Sequence, residues 1–402
     1  MVEVTVYGAA WCPETRRCKR LLGEARVDYR WIDVDDDPDA EAFVRRQDGG
    51  KLSLPVVVVK HGPVLVAPSA PDLFAAVGVD PPKELRYFDL IVAGAGPAGL
   101  SAALTAVREG VRCLVLEPGD PGGQAAEAPA LNGAPGFTEG LAGGDVAESL
   151  RSQAKRYGVR MLGQPLAGLR RSGDYVIATT GSGEEFSARS AIVATGAVYQ
   201  QLGVPGEDEL RGAGVHFSAS SDGPFYRKSE ELMVVGGGDL AGEEALILAG
   251  FTQKVRMLGT AAEFRASPLL LERLRRNSKI ELYPSSELTD LTIGEDGKLA
   301  AAVVRDVTTG YTFSFTPAAV FIYPGMTPNT KPFAEALERD DAGFILVDRT
   351  MQTSMPGVYA AGDVRAASSK QLGAAIGEGV AAAMMARRYL ETFGDLSARA
   401  SA

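Results

Sequence analysis

The sequence predicts an α/β protein made of a small front unit followed by two larger Rossmann-like units. Three observations predict it. Residues 1–80 read as strands and helices in β-α-β-α-β order. Two strand–glycine–helix segments follow, Asp89–Gly110 and Leu232–Gly250, and several of the 47 glycines fall where their strands end. The length of 402 residues matches roughly three domains at about 150 residues each. Hydrophobic residues at 46% and charged residues at 23% permit a sizeable core and argue against general disorder.

In the front unit, Val2–Val6 alternates as a strand and Cys12–Leu22 is a helical stretch rich in Arg and Leu. Tyr29–Val34 is a second strand, and Asp35–Asp37 is an acidic turn ahead of Pro38 and a helix over Ala40–Gln47. Leu54–Val59 is a β-branched run, continuous enough for a buried strand, and Ala70–Val77 is a short closing helix. That order is the thioredoxin-like plan. Pro81-Pro82-Lys83-Glu84 reads as a linker within 81–87, since consecutive prolines stiffen a connection and block helix continuation.

The first large unit opens on Asp89-Leu-Ile-Val-Ala93-Gly94-Ala-Gly96-Pro97-Ala98-Gly99-Leu100, a buried strand entering G-x-G-x-x-G. The helix Ser101–Glu109 follows and Gly110 stops it. Gly94 permits the tight turn, Gly96 lets backbone amides approach a pyrophosphate, and Gly99 allows close helix–strand packing. The next strand, Arg112–Leu116, ends in Glu117, 18 residues past Gly99, a fitting acceptor for ribose hydroxyls. Strand, fingerprint, helix and acid together predict dinucleotide binding. The second unit repeats the pattern in Met233-Val-Val-Gly236-Gly-Gly238-Asp239-Leu240-Ala241, with Ala241 in the third glycine's place. Its following strand, Lys254–Leu258, ends in Gly259-Thr260-Ala261, with neither an acid for a ribose nor an arginine for a 2′-phosphate. The Ala-rich stretch Gly379–Leu390 reads as a helix, with a frayed tail beyond it.

Other classes are excluded by count. Lys+Arg 41 against Asp+Glu 51, a net charge of −10, disfavours nucleic acid as a partner. Three cysteines (Cys12, Cys18, Cys113) make no disulfide framework, and with two histidines they make no zinc spacing, so no metal is expected. His61 and His216 read as structural residues. The apolar runs Leu54–Lys60 and Leu232–Val235 are too short to span a bilayer, and the start is a strand pattern rather than a signal peptide. A soluble, cytoplasmic protein is expected.

From residue 88 to about 392 the chain resembles the low-molecular-weight thioredoxin reductases. Beyond the two fingerprints, Gly122-Gly123-Gln124 with Leu131-Asn132-Gly-Ala-Pro135-Gly136-Phe137 is similar to that family's flavin-ring loop, one residue shorter than usual. Ile192-Val-Ala194-Thr195-Gly196 resembles its strand beside FAD, and Thr327-Pro328-Asn329-Thr330 closes its nucleotide domain. Gly357-Val-Tyr-Ala-Ala-Gly362-Asp363-Val-Arg365, then Lys370-Gln371 leading into Ala374, resemble its second FAD motif. The resemblance implies an FAD domain split over 88–200 and 326–392, with an NAD(P)H domain inserted at 203–322. It implies FAD contacts from Gly94, Gly96, Pro97, Ala98, Gly99, Glu117, Gly123, Gln124, Asn132, Ala194, Thr195, Gly196, Gly362, Asp363, Lys370, Gln371 and Ala374. For NADH or NADPH it implies Gly236, Gly238, Asp239, Leu240, Ala241 and Arg265. In that family the acid at Asp363 bonds the ribityl chain and the helix starting near Gln371 aims its N-terminus at the isoalloxazine.

Two departures stand out. Where the family carries a redox-active Cys-x-x-Cys-Asp, this chain reads Ser218-Ala219-Ser220-Ser221-Asp222, and hydroxyls relay no electrons. Asp222, the acid that in the family protonates a thiolate, is left without that client and reads as structural. The family's His-Arg-Arg clamp on NADPH is Gly259-Thr260-Ala261 here, and only Arg265 remains of the basic patch. Because charged hydrogen bonds contribute about 1.5–3 kcal/mol each, the expected donor is NADH over NADPH, or weak binding of both.

Residues 1–80 resemble glutaredoxins, especially the mycoredoxin-like branch, through Trp11-Cys12-Pro13-Glu14-Thr15-Arg16-Arg17 and Ser53-Leu54-Pro55. Cys12 falls at a helix N-terminus, where the dipole and Arg16/Arg17 favour thiolate, and Pro55 matches the family's cis-proline. A dithiol form would carry its second cysteine at Thr15, so this is a monothiol form. Cys18 lies about 240° further round the helix and reads as core, as does Cys113 in its strand.

Taken together, the expectation is an FAD-dependent oxidoreductase of thioredoxin reductase type. Electrons would pass from NAD(P)H through FAD to a disulfide-bearing protein or small thiol, with Cys12 as the catalytic thiol docking directly on the flavin. A Cys-independent reductase serving ferredoxin, flavodoxin or quinone, and a non-catalytic flavin/thiol redox sensor, are the alternatives. A homodimer is expected from the resemblance.

Overall fold

A computed structural model describes residues 3–81, 86–127 and 142–394 of the chain. The linker prolines beyond Pro81, and Asn132 with its flavin-ring loop, lie outside the described residues.

The front module runs β1 (Val4–Gly8), α1 (Pro13–Glu24), β2 (Tyr29–Asp33), α2 (Pro38–Gln47), β3 (Val56–Val59), β4 (Val64–Val66) and α3 (Ala70–Val77). The sheet order is β2-β1-β3-β4, with β1–β2 parallel and β1–β3 antiparallel. Local chemistry sets the helix starts. The Asp37 carboxylate accepts the amides of Asp39 and Ala40 at the start of α2, and Ser69 accepts that of Asp72 in α3. Pro13, Pro38 and Pro71 sit in the first turns, where a missing N–H costs nothing. β4 is an addition to the predicted elements. Its residues Val64–Val66 are too few to show a period, but after the turn at His61 and Gly62 they pair with β3.

The chain continues through β5 (Tyr87–Ala93), α4 (Pro97–Arg108), β6 (Cys113–Leu116), α5 (Gly123–Glu127), α6 (Gly143–Arg156), β7 (Arg160–Leu162), β8 (Leu166–Ser172), β9 (Tyr175–Thr180) and β10 (Glu185–Val193). It then passes through β11 (Ala197–Tyr199), β12 (Val215–His216), α7 (Ala219–Asp222), β13 (Glu231–Val235), α8 (Asp239–Leu248), β14 (Lys254–Leu258), α9 (Pro268–Arg276) and β15 (Ile280–Tyr283). After β16 (Ser286–Ile293), β17 (Leu299–Asp306), β18 (Thr312–Phe315), β19 (Val320–Ile322) and β20 (Met326–Pro328), it returns as β21 (Val358–Ala360) and α10 (Leu372–Glu391).

Two compact units result. Of the described residues, one holds the front module with 86–127, 144–196 and the segment after Thr327; the other holds Ala197–Thr327. In the first, the large sheet is ordered β7-β6-β5-β10-β9-β8, with β21 also on β10. β5, β6, β7, β10 and β21 are mutually parallel, so their glycine turns emerge at one edge. α4 and α10 cover one face of this sheet with small residues, among them Ala98, Ala102, Ala106, Ala382, Ala383 and Ala386. In the second unit, β12-β19-β13-β14-β15 is a parallel sheet and β16-β17-β18 an antiparallel one.

α10 starts seven residues before the predicted Gly379. Gly373, Gly377 and Gly379 look like helix breakers in sequence, yet Gly379 is there for packing: a Cβ on it would lie 2.1 Å from the Ala98 carbonyl oxygen.

The front module is seated on the edge of the large sheet opposite the glycine turns. The Glu24 carboxylate accepts the amides of Arg86 (2.7 Å) and Tyr87 (2.8 Å) at the start of β5, and burial raises its pKa against those bonds. Tyr175 Oη donates to Val27 O at 2.8 Å, and the Asp174 amide to Asp28 Oδ1 at 2.9 Å. At the centre Arg189 is fully buried. Its guanidinium stacks on Tyr175, Phe393 and Tyr29 at 4.0, 4.6 and 4.8 Å and lies 3.5 Å from Asp174 and 3.9 Å from Asp28. Buried Lys19 donates to Phe393 O at 2.5 Å and covers the Trp31 ring at 3.5 Å.

Candidate functional site

The first fingerprint folds as its spacing requires. Gly94 has φ +101°, and a Cβ there would meet Ala194 O at 2.3 Å; a Cβ on Gly99 would meet Gly94 O at 1.9 Å. Gly96 is the N-cap of α4, Pro97 its first residue, and Gly123 approaches Gly96 so closely that a Cβ on Gly123 would lie 3.1 Å from its Cα. The first-turn amides of α4, at Ala98 and beyond, carry the positive end of the helix dipole. Glu117 ends β6 beside this turn, its carboxylate accepting the amides of Ala95 (2.7 Å) and Gly119 (3.0 Å). Gln124 lies in α5, directly after Gly123.

The C-terminal motif converges on the same point. A Cβ on Gly362 would lie 2.9 Å from the Ala98 Cβ, and Gly379 abuts the same residue's backbone. Ala194-Thr195-Gly196 leaves β10 alongside, where Thr195 Oγ1 donates to Asn329 O (2.9 Å) and Asn329 Nδ2 donates back to Thr195 O (2.8 Å). Asp363 is half-buried, which raises its carboxyl pKa, and it accepts from Ser368 at 3.1 Å. Lys370 donates to the Asp363 carbonyl at 2.6 Å over the Phe344 ring, and burial lowers its pKa against the pull of Asp363. Gln371 is the N-cap of α10, with no side-chain cap bond, and Ala374 lies in the helix's first turn. Gly94, Gly96, Ala98, Gly99, Glu117, Gly123, Ala194 and Gly362 thus lie around the first turn of α4.

Two residues outside the predicted set hold the arrangement. Glu378 Oε2 accepts the Gly362 amide at 2.8 Å and Arg365 Nε at 2.7 Å, tying the motif's loop to α10. An acid set among Gly and Ala near the start of α10 was the signal for it. Asn329 is the second, and it lay within a motif read only as a closing segment.

In the other unit Gly236 has φ +152°, and a Cβ on it would lie 2.6 Å from Tyr323 O. Gly238, Asp239 and Leu240 are exposed at the start of α8, and Ala241 is buried behind them. Asp239 Oδ1 accepts the Ser267 amide at 2.6 Å, and the Arg265 amide donates to Gly237 O at 2.7 Å. Phe264 packs over Gly259, where a Cβ would be 2.9 Å from the ring. The segment after β14 therefore folds back along the glycine turn, with exposed Thr260 and Arg265 beside it.

Asp222 does have a client. Its Oδ2 lies 3.1 Å from His216 Nδ1, and His216 Nε2 lies 2.6 Å from Tyr226 Oη. Both His216 and Asp222 are buried, and burial with the nearby Asp222 charge raises the Tyr226 pKa. Alongside, the Glu244 carboxylate accepts from the Ala219 amide and from Tyr323 Oη (2.7 Å), and burial raises the pKa of both acids.

In the front module Cys12 is the N-cap of α1, Pro13 its first residue, and Leu54–Pro55 is cis. Cys12 is 9% exposed, against 3% for Cys18 and 3% for Cys113. Burial pushes the Cys18 thiol up to about 12 and raises that of Cys113 further. Thr15, at the dithiol position, is fully buried against Gly8 of β1. Arg17 is paired with Glu14 at 2.7 Å. Among the described residues there is no His/Cys/Asp/Glu cluster able to hold a metal, and no helix is long and apolar enough to cross a membrane.

The seat of the front module sets Cys12 apart from Gln371. The module is held by the C-terminal end of α1, and Phe393, which it grips, follows the far end of α10. α10 is about 30 Å long, and Lys19 is about 10 Å along α1 from Cys12. Even with α1 laid back along α10, more than about 10 Å separates Cys12 from Gln371.

The fold and the two glycine turns define a chain with two Rossmann-like dinucleotide units, and comparison with known proteins gives its family. The chain belongs to the pyridine nucleotide-disulphide oxidoreductase family, matched over residues 88–382, with a glutaredoxin domain matched over 4–63. Within that family it is similar to thioredoxin reductases. It is 37% identical to that of Treponema pallidum over 305 residues, 76% of this chain and 98% of that one. With the Bacillus subtilis enzyme it is 36% identical over 309 residues, 77% and 96% of the two chains. The crystal structure of thioredoxin reductase from Streptococcus pyogenes matches with a TM-score of 0.70 at 34% identity, covering 77% of this chain and 99% of that one. The Giardia duodenalis enzyme matches at 0.71 and 29%, covering 76% and 99%. The protein is an oxidoreductase.

Proposed function

We propose that the chain carries electrons from NAD(P)H through FAD to a disulfide, with Cys12 as its exchangeable thiol. The observation that supports the flavin assignment is the close packing of Gly94, Gly99, Gly362 and Gly379 around the first turn of α4, where a Cβ would strike the chain itself, with Gly96 left open at the helix N-terminus. In this reading Glu117 takes the ribose hydroxyls, the α4 amides the pyrophosphate, and Asp363, Lys370 and the α10 N-terminus the ring end. FAD supplies the step between a two-electron hydride donor and the acceptor. NADH is the favoured donor, since Thr260 and Ala261 offer no cation to a 2′-phosphate.

The thiol assignment follows from position: Cys12 is the N-cap of α1 beside the cis Leu54–Pro55 bond, whereas Cys18 lies inside α1 and Cys113 in β6. Sulfur is absent at Ser218 and Ser221, and Cys18 and Cys113 are buried. Cys12→Ser is expected to abolish reduction of a protein mixed disulfide while NADH-driven flavin bleaching stays within about twofold. Unchanged disulfide turnover in that variant would support the second reading, a Cys-independent reductase of ferredoxin, flavodoxin or quinone. That reading draws on the separation between Cys12 and the residues around α4. A homodimer remains part of the proposal by family resemblance.

A further inference from the structure

We propose that Glu378 and Arg365 are positioning residues that set how much more tightly the site holds reduced than oxidised FAD, and so the potential at which the bound cofactor accepts electrons. The inference rests on the flavin reading given above.

Glu378 stands in α10 between Gly377 and Gly379. Gly379 lets the helix close on α4, where a Cβ would lie 2.1 Å from Ala98 O, and Glu378 beside it is only 8% exposed. Its Oε2 accepts the Gly362 amide at 2.8 Å and Arg365 Nε at 2.7 Å, and its Oε1 accepts Arg365 Nη2. Arg365 Nη1 donates to Ala366 O at 3.0 Å. Every side-chain oxygen and nitrogen of the pair is thus engaged. Packing alone does not call for such a pair. Taking two charges out of water is costly, and apolar residues of like volume would fill the space without that cost. The Gly362 amide needs an acceptor rather than a charge, and a glutamine would supply one. What the carboxylate and guanidinium add is charge at a fixed place.

That place adjoins the residues assigned to the ring end. Glu378 is about 10 Å along α10 from its N-cap Gln371. Asp363 follows Gly362 directly, and Lys370 donates to the Asp363 carbonyl at 2.6 Å. These charges act on one another. Burial raises the Asp363 pKa, Lys370 and Arg365 oppose the rise, and Glu378 adds to it. Burial lowers the Lys370 pKa, and Asp363 and Glu378 oppose the fall. Hydride transfer from NAD(P)H brings two electrons and one proton to oxidised FAD, giving NAD(P)⁺ and a reduced cofactor with one added negative charge. A unit charge about 10 Å away, at an effective dielectric of about 20, biases such a step about tenfold. Glu378 opposes the added charge and Arg365 favours it, so the intact pair nearly cancels. Unbalancing the pair moves the potential, in a direction set by which charge is left.

The test measures the midpoint potential of the FAD-loaded full chain, anaerobically at neutral pH against reference dyes. Affinity for oxidised FAD is read in parallel by fluorescence titration. Glu378→Gln, which keeps an acceptor for the Gly362 amide, is expected to raise the potential. Arg365→Met, which strands the carboxylate, is expected to lower it. Each shift is about tenfold in the ratio of reduced to oxidised affinity, or about 30 mV for a two-electron couple. The double variant is expected to return within about threefold of the native ratio. Glu378→Asp and Arg365→Lys keep both charges while altering the bonds; they are expected to loosen oxidised FAD and leave the ratio within about threefold. Single-variant shifts of the same sign, or both below about threefold, overturn the proposal. A tenfold shift in either charge-keeping variant does so too, and that arm reads the proposal even where a neutralised single variant holds no flavin. A native chain that takes up no flavin defeats the flavin reading and this proposal together, whereas flavin-loaded variants without the opposed shifts defeat this proposal alone.

Discussion

Replacing Arg189 with Met should loosen the front module without unfolding the sheet beneath it. The side chain is fully buried, with Tyr175, Phe393 and Tyr29 at 4.0, 4.6 and 4.8 Å from the guanidinium. A desolvated cation–ring contact contributes about 0.5–2 kcal/mol, and three rings sharing one cation do not sum fully. Asp174 and Asp28, at 3.5 and 3.9 Å, are 41% and 35% exposed, so screening limits each pair to about 0.5 kcal/mol. Methionine recovers part of the packing. The net loss is about 2–4 kcal/mol, equal to an opening equilibrium about 30–700 times larger. Native-state hydrogen exchange reads it directly. Amides of residues 26–31 and 174–175 should exchange faster by that factor, while Leu114 and Val115 of β6 keep their protection. Arg189→Lys, which keeps charge without a stacking plane, should fall between. An acceleration below about threefold at residues 26–31, or an equal one in β6, would refute the role given to Arg189.

Other consequences follow from single contacts. Gly99→Ala places a Cβ 1.9 Å from Gly94 O, so α4 must shift; at an overpacking cost of about 1–3 kcal/mol, FAD affinity by fluorescence titration should fall about 10- to 100-fold. Retained stoichiometric flavin would remove the cradle from the account. Burial raises the Glu24 pKa, so the folded chain binds more protons there than the unfolded one. Its favourable contribution is complete below the unfolded carboxylate pKa and is lost as pH rises through the raised folded value. Glu24→Gln should therefore gain thermal stability relative to the native chain between pH 4 and pH 7, as read by paired melting curves; a difference that is flat with pH speaks against it. Thr260→Arg with Ala261→Arg should raise kcat/KM for NADPH relative to NADH by at least about tenfold, given about 1.5–3 kcal/mol per charged bond. An unchanged ratio would place the 2′-phosphate elsewhere.

What the sequence disclosed was local. Gly94, Gly99 and Gly236 announced themselves because a tight turn or a close helix leaves no room for a Cβ, and that requirement is met within a dozen residues. β14 was bounded correctly because its apolar run stops at Gly259. Features set by distant parts were hidden. Arg189 sits inside Glu185–Val193, where one basic residue in a strand looks like an edge charge, and only the approach of Tyr29 and Phe393 buries it. Nothing in the sequence singled out Lys19 and Glu24, which point into the joint between module and sheet. The seat of the front module was hidden likewise, because the side chains that form it are spread over three segments of the chain. His216 was read as structural, but nothing in the sequence revealed that it joins Asp222 to Tyr226.

The central claim, that reduced nucleotide delivers electrons to a bound flavin which a disulfide then drains, is tested most directly by anaerobic mixing. The FAD-loaded protein is bleached with NADH, with NADPH in a parallel syringe, and the absorbance near 450 nm is followed as a small disulfide is added. The account predicts bleaching faster with NADH and a return of the yellow colour on adding the disulfide, with two thiols released per flavin. A flavin that bleaches but recovers only with quinone or ferredoxin contradicts it.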